Sequence, residues 1–141
     1  MTASETTFDP SEPFDLTSTP IHLGLGATAV PLEDFSWSAE RMAAYGEMAA
    51  GDGIEGRMVL LSDQSESWTS WERHPAGQEV VVILTGRADL IQEIDGEQRR
   101  IELTAGQAVI NPPGVWHTAD VHEPGQALFI TPGAGTEHRP R

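Results

Sequence analysis

The stretch WERHPAGQEVVVILTGRADL, Trp71–Leu90, contains a carboxylate at a position where a strand normally has an apolar residue. Glu79 begins the otherwise apolar run that ends at Leu84, and a buried carboxylate is costly unless a partner or an ion meets it. Glu72 and His74 lie two positions apart, so alternation along a strand places them on one face. The stretch therefore predicts an interior cluster of a histidine and carboxylates.

A second stretch, GQAVINPPGVWH, Gly106–His117, ends in another histidine. Its centre combines Pro112 and Pro113, whose φ angles are locked, with Gly114, which permits a tight bend. A rigid corner followed at once by an imidazole is typical of a preorganised metal ligand.

Together the two stretches resemble the motifs of the cupin superfamily, G(X)5HXH(X)3–4E(X)6G and G(X)5PXG(X)2H(X)3N. The resemblance covers Trp68–Thr131, about half of the chain. It implies an all-β fold, a single double-stranded β-helix (jelly-roll) barrel. The matching positions are Glu72-x-His74-x4-Glu79-x6-Gly86 and Gly106-x5-Pro112-x-Gly114-x2-His117.

Carried over residue by residue, the resemblance implies that His74, Glu79 and His117 bind one divalent metal ion. Glu72 stands where the family has its first histidine, so it is a substituted ligand or a general base. Val121 replaces the final asparagine of the second motif, and the first glycine of the first motif has no clear counterpart. Two histidines with one or two carboxylates suit Fe(II), Mn(II) or Zn(II), and the identity of the ion stays open.

Each of these residues also has an ordinary structural interpretation. His74 could be an exposed turn histidine, and His117 could be a core histidine bonded to backbone. Glu79 could pair with an arginine, Arg87 or Arg73, and Glu72 could face solvent or pair with an arginine. Of the other histidines, His122 lies on the strand face opposite that of His117, so we expect it to point outward and not to bind metal. We expect structural or solvent roles for His22 and His138, which have no partner at a suitable spacing.

The rest of the chain predicts an N-terminal arm, strand and helix (1–54), the barrel (55–131) and a C-terminal tail (132–141). The helix is expected in SAERMAAYGEMAA, with Ser36 or Ser38 as N-cap and a stop at Gly51. Asp95-Gly96 predicts a two-residue hairpin. Strands are expected at Ile21–Leu25, Gly56–Leu61, Ser67–Trp71, Glu79–Leu84, Ala88–Ile94, Gln98–Leu103, Gln107–Ile110, His117–Val121 and Ala127–Ile130.

The composition narrows the possible partners. Among 141 residues, 22 are acidic and 8 basic, which gives a net charge of −14 and disfavours nucleic acid and anionic membranes. The absence of cysteine excludes disulfides, thiolate metal sites and cysteine nucleophiles. The sequence shows neither a secretory signal pattern nor a run long enough to span a membrane, so we expect a cytoplasmic location.

The strand that begins at Glu79 is apolar on both faces, since Val80, Val82 and Leu84 lie opposite the carboxylate. Such a strand must be covered on both sides, by the helix, the arm or a second subunit. Cupins commonly dimerise through such a face, so we expect a homodimer, with Phe8 and Phe14 as possible cross-subunit anchors.

Two classes of function follow. The first is a mononuclear metal-dependent oxidoreductase, isomerase or decarboxylase that acts on a small organic molecule in the barrel. The second is a non-catalytic module that binds metal or a small ligand. Core or interface packing is the first interpretation of the three tryptophans near the motifs, and the alternative is that one of them walls the ligand pocket. Alternation places Trp68 on the face of Glu72, and Trp71 and Trp116 on the face opposite to their neighbouring ligands.

Overall fold

The structure is a computed structural model that describes residues 9–141. These residues contain one α-helix, α1 (Ala39–Ala49), which continues as a 3-10 helix, Ala50–Glu55. The eleven strands are β1 Ile21–Gly24, β2 Thr28–Pro31, β3 Arg57–Gln64, β4 Ser70–Arg73, β5 Glu79–Ile83, β6 Arg87–Ile94, β7 Glu97–Thr104, β8 Ala108–Asn111, β9 Trp116–Glu123, β10 Gly125–Thr131 and β11 Glu137–Pro140.

Two antiparallel sheets form the barrel, in the orders β2-β1-β3-β10-β5-β8 and β11-β4-β9-β6-β7. Alternate side chains from both sheets meet in one apolar core, which fills the barrel on one side of the polar cluster. The all-β jelly-roll prediction is confirmed. The buried core residues are Val81, Ile83, Ala88, Leu90, Leu103, Ala119, Ala127 and Phe129.

The hairpin between β6 and β7 turns at the predicted dipeptide. Ile94 pairs with Glu97, and Asp95 and Gly96 both have positive φ, 53° and 79°. Two central residues of positive φ define the type I′ turn, whose twist matches that of the flanking strands. The hairpin fixes the register of the five-stranded sheet at its far edge.

Two glycines of the motifs have conformations that other residues rarely adopt. Gly86, between β5 and β6, has φ +82°, and a Cβ there would lie 2.5 Å from the carbonyl oxygen of Glu123. Gly114, with φ +71°, donates its backbone N–H to the carbonyl oxygen of His74 at 3.1 Å. The second glycine thus ties the proline corner to the backbone of a predicted ligand.

All the predicted strands are present, with small differences at their ends, and two further strands are present. β2 forms a hairpin with β1, and β11 pairs with β4. The sequence EHRP of β11 has no apolar alternation and ends in proline, as edge strands often do. The sequence therefore does not indicate that β11 pairs with β4, although this pairing joins the C-terminal tail to the sheet that carries Glu72.

Helix α1 begins where the capping pattern predicts. The Ser38 hydroxyl accepts a hydrogen bond from the backbone N–H of Arg41 at 3.2 Å. The α-helix ends at Ala49 with Ala50 as its C-cap, next to the predicted stop at Gly51, and the 3-10 segment that follows is interrupted at Gly53, whose φ is +58°. Met42 and Tyr45 face the barrel cavity, whereas Met48 is 45% exposed. Among the described residues, no helix is long and apolar enough to cross a membrane.

The outer face of the six-stranded sheet remains apolar and accessible. Val80 and Val82 are half-buried, Leu84 is 40% exposed and Ile110 on β8 is 53% exposed. Phe14 of the predicted arm is 44% exposed, and Phe8 lies outside the described residues.

Candidate metal centre

The four residues predicted as ligands lie together inside the barrel. Glu72 on β4 is directly opposite His117 on β9, and His74 follows two residues after Glu72. Glu79 comes from the facing sheet, as the first residue of β5. One donor atom from each of the four lies within 4.8 Å of the others.

The imidazole Nε2 atoms point at the carboxylates. His74 Nε2 lies 3.3 Å from Glu72 Oε1 and 3.2 Å from Glu79 Oε2. His117 Nε2 lies 3.2 Å from Glu79 Oε1 and 3.6 Å from Glu72 Oε1. Both Nε2 atoms are buried and neither has a hydrogen bond of acceptable geometry. Two orphaned imidazole nitrogens beside two carboxylates fit a divalent cation, which would satisfy all four groups at once.

The structural interpretations of Glu79 and His74 are wrong. Arg73 pairs with Glu137 and Arg87 pairs with Glu123, so neither neutralises Glu79. His74 is only 4% exposed, which excludes a solvent-facing turn histidine.

Glu79 is held by neutral partners that the sequence interpretation missed. The side-chain amide of Asn111 donates to Glu79 Oε1 at 3.0 Å, and the Thr131 hydroxyl donates to Oε2 at 2.7 Å. Gln92 in turn donates to Asn111 Oδ1 at 2.9 Å. Asn111 precedes the two prolines and shares a strand face with Val109, which packs on the core, and this alternation could have placed it inside.

Contacts to the Nδ1 atoms of His74 and His117 orient the two imidazole rings. The Thr136 hydroxyl donates to the carbonyl of Gly133 at 3.1 Å, so its oxygen accepts the Nδ1–H of His74 at 2.9 Å. His117 Nδ1 lies 3.4 Å from the carbonyl oxygen of Val115. With Nδ1 turned to these acceptors, Nε2 is left to bind a proton or a metal ion.

Glu72 has a partner in the C-terminal strand. Its Oε2 lies 3.1 Å from His138 Nε2, and the two residues are paired in register across β4 and β11. The structural or solvent role expected for His138 did not foresee this contact. His122 faces outward as predicted, with Nε2 2.9 Å from Asp89, and His22 is buried against Tyr45 and Asp52.

The groups of the centre shift each other's protonation. Burial alone would raise the pKa of Glu79, but the adjacent His117 and His74 lower it to about 2. Burial would lower the pKa of His74, but the carboxylates of Glu72 and Glu79 raise it to about 9. The pKa of His117 is raised and that of Glu72 is lowered in the same way. The carboxylates thus favour protons on the two imidazoles, and a divalent ion would displace such protons on binding.

The centre lies at the base of a cavity of about 830 Å³. Trp68 lines this cavity as predicted, and its indole N–H donates to Gln64 at 2.7 Å. Trp71 and Trp116 lie away from the cavity against the guanidinium of Arg139, with ring centroids 5.1 and 4.6 Å from it. The volume is in the range of small-molecule sites.

Comparisons with known proteins bear on the same region. The family model for the cupin domain matches residues 56–131. A cupin-2 domain protein from Shewanella frigidimarina is 24% identical, over 54% of this chain and 70% of that one, with a TM-score of 0.47. A conserved protein with a double-stranded β-helix domain from Klebsiella pneumoniae is 23% identical, over 60% and 76%, with a TM-score of 0.50.

The hydroxypropylphosphonic acid epoxidase of S. wedmorenis is 14% identical, over 53% of this chain and 43% of its own, with a TM-score of 0.47. At its identity, the likeness to the Klebsiella protein shows the fold alone. No curated protein matches the chain.

Proposed function

This chain belongs to the cupin domain family, and we propose that it is a mononuclear metal-dependent enzyme that acts on a small organic molecule. The observation that carries the proposal is the pair of orphaned, buried Nε2 atoms of His74 and His117, which face two carboxylates at the base of a cavity. Dioxygenase, isomerase and decarboxylase chemistry are the candidate reaction types.

We propose that His74, Glu79 and His117 bind the ion. A bound Fe(II), Mn(II) or Zn(II) would supply Lewis-acid polarisation of an oxygen on the substrate. Asn111 and Thr131 keep both oxygens of Glu79 aimed at the two imidazoles. The site is reached from the cavity, whose wall includes Trp68.

Glu72 is proposed as a fourth ligand or as a general base. It is the most accessible of the four residues, with a side chain 23% exposed, and it also lines the cavity. Its lowered pKa keeps it a carboxylate, which suits binding the ion, and makes it a weak proton acceptor, which favours the role of ligand over that of general base.

A non-catalytic module that binds metal or a small ligand is the alternative, and one observation favours it. Four protein donors within 4.8 Å of one another can fill a tetrahedral site, and structural zinc sites are closed in this way. Water exchange distinguishes the two. A closed site holds no exchangeable water, whereas an enzyme keeps an open position.

The deciding experiment is elemental analysis of untagged wild type beside His117→Ala and the control His122→Ala, whose side chain faces outward. We expect near-stoichiometric Fe, Mn or Zn in the wild type and the control, and loss in His117→Ala. Proton relaxation of the Mn(II)-loaded protein would then detect an open water position. Absence of metal from all three after reconstitution would overturn the proposed function.

We also propose that the chain acts as a homodimer through the outer face of the six-stranded sheet. Two apolar rows cross this face in register: Leu61, Leu128 and Val82, and Val59, Ile130, Val80 and Ile110. Sedimentation equilibrium of Ile110→Glu should show monomer. The control Ile54→Glu, at a residue 65% exposed in the 3-10 helix, should remain dimeric. A monomeric wild type would refute the dimer.

A further inference from the structure

The cavity above the candidate metal centre has charged groups at its base and apolar walls. Its base includes Glu72, His74 and Glu79, while Met58, Leu60 and Phe129 form part of the wall. On the opposite side, helix α1 contributes Met42 and Tyr45, which we call the roof. A ligand that occupies the cavity therefore contacts mainly rings and methylene groups, together with a few polar side chains of the wall, except where it reaches the base.

No arginine or lysine among residues 9–141 lines this cavity. The chain has eight cationic side chains, all of them arginines and all within the described residues. Five of them form ion pairs with acidic residues, away from the cavity lining: Arg73, Arg87, Arg100, Arg139 and Arg141. A phosphate, sulfonate or second carboxylate on a ligand would be desolvated in the cavity without a cationic partner.

Several polar side chains of the wall already have hydrogen-bond partners within the protein. The side-chain oxygen of Gln64 accepts a hydrogen bond from the indole N–H of Trp68, and the amide nitrogen of Gln64 donates to the Ser62 hydroxyl at 3.1 Å. The Thr131 hydroxyl donates to Glu79. Thr136 is committed to Gly133. These contacts leave few free donors with which the wall could solvate an anion.

The roof is neutral as well. His22 Nε2–H donates to Asp52 at 2.6 Å, so its Nδ1 accepts the hydroxyl proton of Tyr45 at 2.9 Å. Burial, together with the charge of Asp52, raises the pKa of Tyr45 to about 12, which keeps the phenol uncharged. Tyr45 therefore presents its ring, and an oxygen that can only accept a hydrogen bond.

The base adds no surplus positive charge when it is loaded. Glu72 and Glu79 carry two negative charges, which a divalent ion balances and does not exceed. His138 at the rim is 60% exposed and is paired with Glu72. A ligand with an anionic group remote from the ion would thus find no positive charge nearby to stabilise it. The net charge of the protein, −14, would also repel such a ligand.

We infer that the substrate is an uncharged, mainly apolar organic molecule that reaches the base with a single oxygen-bearing end. This inference rests on the proposed function only in calling the occupant a substrate. The discrimination against anions resides in the cavity wall, and it can be measured without a metal.

The test compares two fluorescent probes that differ only by a sulfonate, N-phenyl-1-naphthylamine and 8-anilinonaphthalene-1-sulfonate. Binding is followed by energy transfer from tryptophan to the probe, with Trp68 in the cavity wall as a donor, in protein treated with EDTA. We expect the dissociation constant of the neutral probe to be at least tenfold lower. Equal or tighter binding of the sulfonate by wild type would overturn the inference.

A pair of variants on one helix then locates the effect. Met42→Arg places a cation in the roof, and it should strengthen sulfonate binding at least tenfold while weakening the neutral probe. Met48→Arg, at a residue 45% exposed on the same helix and not lining the cavity, should leave both constants within twofold of wild type. Identical behaviour of the two variants would place the probes elsewhere, such as on the outer sheet face, and would refute the inference.

The metal measurement separates this result from the proposed function. If the neutral probe is preferred and Met42→Arg reverses the preference, the cavity discriminates against anions whether or not metal is bound. If the protein also takes up no metal after reconstitution, the inferred class of ligand would stand and the proposed enzymatic function would be refuted. If the protein binds metal but shows no preference between the probes, the metal centre would be supported and the inferred class of ligand would be refuted.

Discussion

The two carboxylates of the centre are held in different ways. Glu79 is 1% exposed, and Asn111 and Thr131, both on strands of its own sheet, donate to its two oxygens. Glu72 has a side chain 23% exposed, and its one outer partner, His138, comes from the last strand and is 60% exposed. A carboxylate fixed by buried neutral donors has little freedom, whereas one paired near solvent can move at small cost.

We expect the largest effects when each of the two carboxylates is neutralised separately. Loss of a residue that only supports a metal ligand typically weakens metal binding ~10–100-fold. We expect Glu79→Gln to weaken Mn(II) or Zn(II) binding by more than this, because the substitution removes a ligand that is held rigidly. Glu72→Gln should cost less, since three donors remain. Titration against a chromophoric chelator measures both, with Glu123→Gln on the surface as control. Equal losses for the two variants would contradict the distinction.

Removing the support of Glu79 should have the next largest effect. Asn111→Ala removes the amide that donates to one oxygen of Glu79 and also removes one of the two acceptors of the buried Gln92 amide, which keeps the carbonyl oxygen of Ile110. We expect metal affinity to fall ~10–100-fold. We expect the free energy of unfolding to fall by ~1–3 kcal/mol, as for other buried polar groups left unsatisfied.

Thr131→Val serves as the comparison for Asn111→Ala, because it removes one donor to Glu79 with little change of volume. Urea unfolding and chelator competition on the same preparations separate the two effects. If both variants retained wild-type affinity, Glu79 would not need its outer partners.

Metal removal changes how the stability of the protein depends on pH. In the metal-free protein the pKa of His74 is about 9, against 6.5 in the unfolded chain, so its contribution is complete below pH 6.5 and is lost as the pH rises through 9. The pKa of Glu79 is about 2, against 4.5, so its contribution is complete above pH 4.5 and is lost as the pH falls toward 2. The metal-free protein should therefore be most stable between about pH 4.5 and 6.5.

With metal in excess the native imidazoles bind no protons, so stability should rise with pH only until the unfolded imidazoles lose theirs near pH 6.5, and should then stay level to pH 9. Thermal unfolding at several pH values, with EDTA or with Zn(II), measures both slopes. His122→Ala should keep the two slopes, and metal-free His74→Gln should show a smaller decline. Parallel slopes with and without metal would contradict replacement of protons by the ion.

The same contrast explains what the sequence could predict. His74, Glu79 and His117 follow from local spacing, because strand alternation and the proline corner fix where those side chains point. Asn111 is accessible to the same reasoning, as a polar residue in phase with an apolar strand face. His138 is not, since it meets Glu72 only through the pairing of β11 with β4, which joins residues 66 positions apart in the chain.

The smallest expected effect tests the partner of Glu72. The ion pair with His138 is largely exposed, and such pairs contribute ~0.2–1 kcal/mol, so His138→Ala should weaken metal binding by no more than about fivefold. His138→Gln, which can still donate to Oε2, should recover most of that loss. The absorption spectrum of the Co(II)-loaded protein should shift in His138→Ala and return in His138→Gln, because Glu72 changes its orientation. His122→Ala, which removes an outward histidine 2.9 Å from Asp89, should leave the spectrum unchanged. A loss of a hundredfold or more in His138→Ala would make the C-terminal strand as important as the barrel wall, and the contrast between the two carboxylates would fail.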